Sequence, residues 1–377
     1  MKRVMILGGG FGGLAAANRL RERLDPQDEI ILVDRRSHFS FGFRKTWVLV
    51  GLGSMEVGQR PLAGLARKGI NWIRGTVTRI DPQARSVEVD GRSMAADALV
   101  VALGTVLAPE QVPGFNDYAL NVYHPQEVQR NAAALGDFSG GQVMVGIFSI
   151  PYACPPAPFE IAMLVQAYFK ARGVRAEMEV FSPLPMSLPV LGEAGCEVIE
   201  GRLARQGIRF LAEHKAGAVE AGAVRFTSGP RPFDLLLGVP PHRPPQVAVE
   251  AGLAGADGWL EVDPRTMETR FPGVYALGDA VTIPMANGKP LPKAGVFAEA
   301  QGLVAAEHIA AALTGLESQA TFSGEGGCYL EVGGGEAMLV QGQFLAEPGP
   351  RVDLKGPSAE YLEEKRRFET SRLEAWF

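Results

Sequence analysis

Cys154 and Glu160 bracket the proline-rich run Pro155-Pro156-Ala157-Pro158-Phe159, which sets a thiol and a carboxylate within one short stretch of chain. Proline suits the first turn of a helix, where the backbone N–H has no partner to lose, so a helix is predicted from near Pro158 through Ile161, Leu164, Val165 and Tyr168. Cys154 then precedes a helix N-terminus, a position that lowers a thiol pKa and favours the reactive thiolate. Glu160, if the chain folds back and partly desolvates it, would serve as an acid or base near neutral pH. Taken alone, the cysteine fits a small buried apolar residue equally well. Cys196 and Cys328 complete neither a structural disulfide framework nor Cys-x-x-Cys zinc spacing, and the five histidines add no ligand spacing, so no metal site is expected.

The elements that must carry these groups open the chain. Arg3 to Leu7 is a short apolar strand, followed by Gly8-Gly9-Gly10-Phe11-Gly12-Gly13 and a helix with Leu14, Ala17 and Leu20 on one face. Gly8 permits the tight turn, Gly10 lets the backbone approach a pyrophosphate, and Gly13 allows close helix packing, with phosphates on the helix N-terminus. A second strand, Glu29 to Val33, ends at Asp34 and Arg35, at the spacing expected of an acid that binds ribose hydroxyls. A dinucleotide site is predicted from Gly8, Gly10, Phe11, Gly12, Gly13, Asp34 and Arg35.

A corresponding turn later in the chain fails. The strand Gln142 to Phe148 keeps only Gly146 of a second fingerprint, and Phe148, Pro151 and Pro155 stand where close backbone approach and free N–H donors are needed. The following strand, Glu177 to Phe181, runs into Ser182-Pro183 with no acid at its end. Nicotinamide binding is not expected.

Two further segments resemble the FAD-domain motifs of two-dinucleotide-binding flavoproteins. Asp97 to Thr105 is a buried-strand pattern ending at Gly104, and Thr269 to Asp279 is a strand ending in Gly278-Asp279. The resemblance implies that Asp279 holds the ribityl chain or phosphate of FAD. Leu291-Pro292-Lys293-Ala294-Gly295 then opens a long helix to about Leu313, whose positive N-terminal end, with the charge of Lys293, would stabilise an anionic reduced flavin.

The run Cys154-Pro155-Pro156-Ala157-Pro158-Phe159-Glu160 is similar to a motif of the flavoprotein subunit of flavocytochrome c sulfide dehydrogenase and of its kin, the sulfide:quinone oxidoreductases. The likeness extends through Leu237 to Arg243, the Gly-Asp and Pro-Lys-Ala-Gly segments, and Gly327-Cys328-Tyr329. It implies that Cys154 and Cys328 form a redox-active pair beside the flavin, with Glu160 as acid and base. The implied activity is oxidation of sulfide, a persulfide or a polysulfide, with electrons passing to a quinone or a cytochrome. Ser37 to Gly42 has no cysteine for covalent attachment, so the FAD should be noncovalent. A third cysteine common in the quinone-linked enzymes is absent; Asn121-Val122-Tyr123-His124 stands there. The alternatives are an NAD(P)H-dependent quinone or disulfide reductase, and an FAD-carrying interaction subunit of a larger electron-transfer complex.

Composition bounds the rest. With 377 residues, 46% hydrophobic, 21% charged and a net charge of −5, the chain fits a globular protein with ample core and no basic patch for nucleic acid. The start Met1-Lys2-Arg3 leads directly into a strand, with no space for a secretory signal, and a cytoplasmic location is expected. Tyr361 to Phe377 sets Leu362, Phe368, Leu373, Trp376 and Phe377 beside Lys365, Arg366, Arg367 and Arg372, a pattern suited to a membrane surface or to packing on the protein's own body. The expected fold is mixed α/β with two Rossmann-like lobes: FAD-binding segments at 1–108 and 240–316, a degenerate NAD-type lobe at 109–239, and a C-terminal cap at 317–377.

Overall fold

The computed structural model describes residues 1–377. Apolar strands that must be buried on both faces form two parallel sheets, as the near-continuous Val, Ile and Leu runs demand. The first sheet has the order Val274–Ala276, Ala98–Val101, Arg3–Leu7, Glu29–Asp34, Asn71–Arg74. Its register pairs Leu7 with Val33 and with Val101, and Ala276 with Val101. The glycine turn, Asp34, Gly104 and Gly278-Asp279 therefore all emerge at the carboxyl edge of one sheet, where ligands of such folds bind.

The second sheet repeats the plan with the order Leu120–Asn121, Leu235–Val239, Gly141–Ile147, Ala176–Phe181, Ile208–Leu211, again all parallel. At its carboxyl edge it gathers Tyr123, the loop from Phe148 to Cys154, and His242. The helix Ala157–Ala171 follows that loop, beginning within a residue of the expected place.

Helix Phe11–Arg23 crosses helix Gly295–Thr314 at close range, because both carry glycine at the crossing. A Cβ on Gly302 would overlap the carbonyl oxygen of Gly12, and one on Gly12 would lie 2.7 Å from that of Ala298. Helix Gly295–Thr314 is long and apolar enough to cross a membrane, yet Phe297, Ala305, Ala306 and Ile309 are buried in the core of the first lobe.

The chain ends in an antiparallel sheet, Glu325–Gly333, Glu336–Gln343 and Arg351–Ser358, and helix Ala359–Trp376, whose start is capped by the Ser358 hydroxyl accepting the Glu360 N–H at 3.0 Å. Val340 packs in the core of the first lobe, whereas Leu330, Val332 and Met338 pack in that of the second, so this sheet spans both. The final helix lays Leu362, Lys365, Glu369, Leu373 and Trp376 against the body. Leu362, Leu373 and Trp376 thus face inward, the packing alternative of the two that the sequence left open.

Candidate active site

The glycine turn meets the demands of a dinucleotide. A Cβ on Gly13 would overlap the carbonyl oxygen of Gly8, and Gly8 itself has φ +110 and backs onto Ala102, so both positions exclude side chains. Gly10, by contrast, has nothing within 4 Å of where its Cβ would stand. That open side lies over the start of helix Phe11–Arg23, which has no side-chain cap, leaving first-turn N–H groups to meet an anion.

Asp34 is buried at the strand end, and its Oδ2 accepts the Gly9 N–H at 2.7 Å. Burial alone would raise its pKa, but the Arg36 guanidinium and the N–H groups of Arg36 and Gly9 hold it below the ordinary value. The paired arginine is Arg36, with Nη2 at 2.6 Å; Arg35, the expected neighbour, points to solvent. The Phe11 ring packs among Phe39, Phe41, Phe368 and Trp376, with centroids 5.0–6.3 Å away, and so ties the turn to the last helix. These residues fit FAD: an uncapped helix start, an open face at Gly10 and a buried acid on the same edge.

Across that edge, Gly104 takes φ +67 and Gly278 φ +74, left-handed turns that glycine enters without cost. The Gly278 N–H donates to Gln301 Oε1 at 2.7 Å. Asp279 has its pKa raised by burial, with Lys293 opposing. Lys293 does not extend toward the space beside the turn. Its Nζ donates to the carbonyls of Asp279 at 2.7 Å and Val281 at 3.2 Å and lies 3.6 Å from the centre of the Trp259 ring. Burial brings its pKa down to about 8. Ala294 stands at the start of helix Gly295–Thr314, its carbonyl accepting the N–H groups of Phe297 and Ala298.

The Cys154 loop is stitched to this segment. The Cys154 N–H donates to the Lys293 carbonyl at 2.7 Å, and Ala153 bridges Lys293 in parallel. Cys154 adopts φ +52, a left-handed conformation uncommon outside glycine and often found at functional positions. Its surface reaches solvent, but the protein around the cleft desolvates a thiolate there. The pKa is pushed up to about 11 by that burial and by the Glu160 and Asp279 carboxylates, with Lys365 and Lys45 opposing. This corrects the expectation of a depressed thiol pKa: the helix start is outweighed by desolvation.

Cys328 sits in strand Glu325–Gly333, partly buried, and the charge of Cys154 is among the influences that raise its pKa after burial itself. Both thiols are free and both lie within the field of Glu160 and Lys365. Cys196 is buried in helix Gly192–Arg205, as a packing residue would be.

Glu160 is almost fully buried, and each of its oxygens accepts from Lys365 Nζ at 2.9 Å. Oε2 also accepts the Glu331 N–H at 2.9 Å. Lys365 Nζ donates to Glu331 Oε1 at 2.8 Å, and Trp47 Nε1 donates to the same oxygen. Two carboxylates thus share one ammonium. Burial and the Glu331 charge raise the Glu160 pKa against the pull of Lys365, while Glu160 and Glu331 hold Lys365 above its ordinary value despite burial. A carboxyl in such a setting holds its proton to a higher pH than an exposed one does. Beside it, Arg44 pairs with Glu369 in a second buried contact, Nε to Oε1 at 2.8 Å.

Lys365, Glu331, Trp47, Arg44, Glu369, Lys45 and Tyr123 were not singled out from sequence as members of this centre. One signal was present: Leu362, Lys365, Glu369, Leu373 and Trp376 recur at helical spacing, which places two charges on an otherwise apolar stripe.

Residues 2–146 match the pyridine nucleotide-disulphide oxidoreductase family. The chain is 24% identical over 364 residues to the mitochondrial sulfide:quinone oxidoreductase of Mus musculus, covering 92% of this chain and 79% of that one. It is 26% identical over 332 residues to the sulfide-quinone reductase of Aquifex aeolicus, covering 82% and 76%. The crystal structure of the sulfide:quinone oxidoreductase from Aquifex aeolicus shares the fold with a TM-score of 0.90 at 23% identity, covering 100% of this chain and 91% of that one. In sequence and in fold the chain is thus similar to the sulfide:quinone oxidoreductases, with the two Rossmann-like lobes and the FAD-binding edge of a flavin-dependent oxidoreductase.

Proposed function

We propose that the protein oxidises hydrosulfide, or a small persulfide or polysulfide, through Cys154 and Cys328 and delivers the electrons by way of noncovalent FAD to a quinone. The observation that carries this reading is that the helix following Cys154 packs on the strand that holds Cys328, where Glu160 Oε2 accepts the Glu331 N–H at 2.9 Å. The stitch from the Cys154 N–H to Lys293 ties that centre to the segment opening at the flavin edge. The names of the mouse and Aquifex relatives supply the substrate and acceptor classes.

In the oxidised protein the two cysteines are joined. Hydrosulfide attacks at Cys154, which keeps solvent contact; the disulfide breaks, one cysteine keeps a persulfide and the other leaves as a thiolate. Glu160 takes the proton released from the sulfur, and Lys365 steadies the carboxylate that results. A second hydrosulfide takes the outer sulfur from that persulfide and leaves the cysteine a thiolate; rejoining of the two thiolates as a disulfide then frees an electron pair, for which FAD, once bound, would be the two-electron acceptor. Gly8, Gly10, Gly12, Gly13 and Asp34 would hold its adenosine and pyrophosphate half, and Gly104, Gly278, Asp279 and Ala294 the flavin half. In this reading residues 1–108 and 240–316 form the FAD-binding lobe, 109–239 the second lobe and 317–377 the cap.

Anaerobic titration with sulfide tests it. Flavin absorbance should bleach in the wild type and fail to bleach in Cys154→Ser and Cys328→Ser; full bleaching in both variants removes the cysteine mechanism. A ubiquinone analogue added to the bleached protein should restore the absorbance. Reoxidation by a cytochrome alone would instead favour an FAD-carrying subunit of a larger complex.

A further inference from the structure

The Cys154 loop rests on two side chains outside the Glu160 network. The Tyr123 hydroxyl donates to the carbonyls of Ala153 at 2.9 Å and Cys154 at 3.3 Å, bracing the residue that holds the left-handed conformation. Lys45, from helix Arg44–Leu49, donates from Nζ to the Tyr123 carbonyl at 2.7 Å and lies 5.5 Å from the centre of its ring. Lys45 makes no ion pair with a carboxylate, and the one charge that opposes its desolvation is that of Cys154. An ammonium held near a thiol with no acid to neutralise it is an unusual expense for a fold unless negative charge develops beside it.

We infer that Lys45, held in place by Tyr123, is a positioning residue that stabilises negative charge on sulfur at Cys154. This rests on the reading of Cys154 as the reacting sulfur. The groups that face Cys154 are Tyr152 on its own loop, Glu160 on the following helix, Lys365 on the last helix, Asp279 on the turn before Lys293, Cys328 on the cap, and Lys45. Among them Glu160 and Asp279 oppose a thiolate, and Lys365 already serves two carboxylates. Lys365 has the larger influence on Cys154 and Lys45 the smaller, but Lys45 is the cation with no carboxylate partner of its own. Facing Lys45 itself are Cys154, Tyr123 and His242; burial pushes the His242 pKa down to about 4, so it adds no competing charge above that pH.

Lys45 has a pKa brought down to about 8 by burial, so its help should be present below that pH and fade above it. An arginine in its place would stay charged throughout. The test follows iodoacetamide alkylation of Cys154 in the reduced FAD-loaded protein, reading the Cys154 peptide by mass spectrometry from pH 6.5 to 9.5. Lys45→Met should slow alkylation about tenfold at pH 7, the equivalent of about one unit in the thiol pKa. The gap to wild type should close as pH rises past the lysine pKa. Lys45→Arg should alkylate at least as fast as wild type and keep its advantage over Lys45→Met at pH 9.5. Tyr123→Phe, which removes the two hydrogen bonds but keeps the ring, should slow alkylation about threefold with the same pH trend.

A Lys45→Met protein that retains FAD and alkylates at the wild-type rate at every pH overturns the inference. So does a uniform slowing that Lys45→Arg fails to rescue, which marks a structural role. Alkylation needs no turnover, so it separates failure here from failure of sulfide oxidation, which the bleaching of Cys154→Ser reads independently.

Discussion

The two lobes share a five-stranded parallel plan and part company at one turn. After the first strand, Gly10 leaves open space above a helix start, and Asp34 waits on the adjacent strand. After strand Gly141–Ile147, the equivalent volume is filled: Phe148 packs edge-on to Phe115 at 5.0 Å and to Phe181 at 5.2 Å. Gly146, the one glycine that survives there, is kept for a different reason, since its Cβ would run into the Phe181 ring. The same four-strand parallel core, to which the first lobe adds its last strand and the second its first, therefore serves a nucleotide in one lobe and an aromatic core in the other. What decides is whether the turn keeps a free backbone face or covers it with side chains.

The cap joins the lobes, and the largest expected effect comes from its ammonium. Lys365→Met would leave Glu160 and Glu331 buried without a cation and should cost about 3–5 kcal/mol in denaturant unfolding. The Lys365 pKa lies above its ordinary value of 10.5, so its stabilisation is complete below that pH and is lost as pH climbs through the higher folded value. The gap between wild type and variant should therefore narrow in strongly alkaline buffer. An unchanged midpoint at pH 7 would show that the shared ammonium does not hold the lobes together.

Next in size, Gly13→Ala forces the first turn apart and should weaken FAD retention about 100-fold, the equivalent of about 3 kcal/mol of overpacking, read as flavin per chain after gel filtration. Gly146→Ala is its counterpart in the other lobe. It should lower stability by about 1–3 kcal/mol through the clash with Phe181 while flavin content stays at wild type. Loss of flavin in Gly146→Ala would break the contrast between the turns. Gly10→Ala should be smaller still: folding intact by circular dichroism, FAD affinity down about tenfold, because the added methyl intrudes only where a pyrophosphate would approach. Mixing with NADH or NADPH should leave the flavin oxidised on the seconds scale; rapid bleaching would mean that the Phe148-filled turn still admits a nicotinamide cofactor.

Much of the first lobe was legible because its instructions are local. The glycine spacing, the strand before it and the acid after the next strand each state a backbone requirement that sequence displays directly. The broken second turn was legible for the same reason, through Phe148 and the prolines. The tail was only half legible. Its helix and its mixture of aromatic and basic residues are plain in the sequence, but the burial of Lys365 and Glu369 is set by partners distant in the chain, Glu160, Glu331 and Arg44. The protonation of Cys154 was misread because a helix start is a local feature, whereas desolvation depends on everything packed around the cleft.

The sequence by itself determined the two Rossmann-like lobes, the dinucleotide turn at Gly8 to Gly13 and the candidacy of Cys154, Cys328 and Glu160, since short motifs encode backbone geometry and residue chemistry within a few positions. Only the tertiary structure decided that Lys365 belongs to Glu160 and Glu331, that Lys293 turns its charge onto backbone carbonyls, and that Lys45 binds the Tyr123 carbonyl while the Tyr123 hydroxyl braces the Cys154 loop. Charges act through space and through the water excluded around them, and neither distance nor burial is written in the order of residues along the chain.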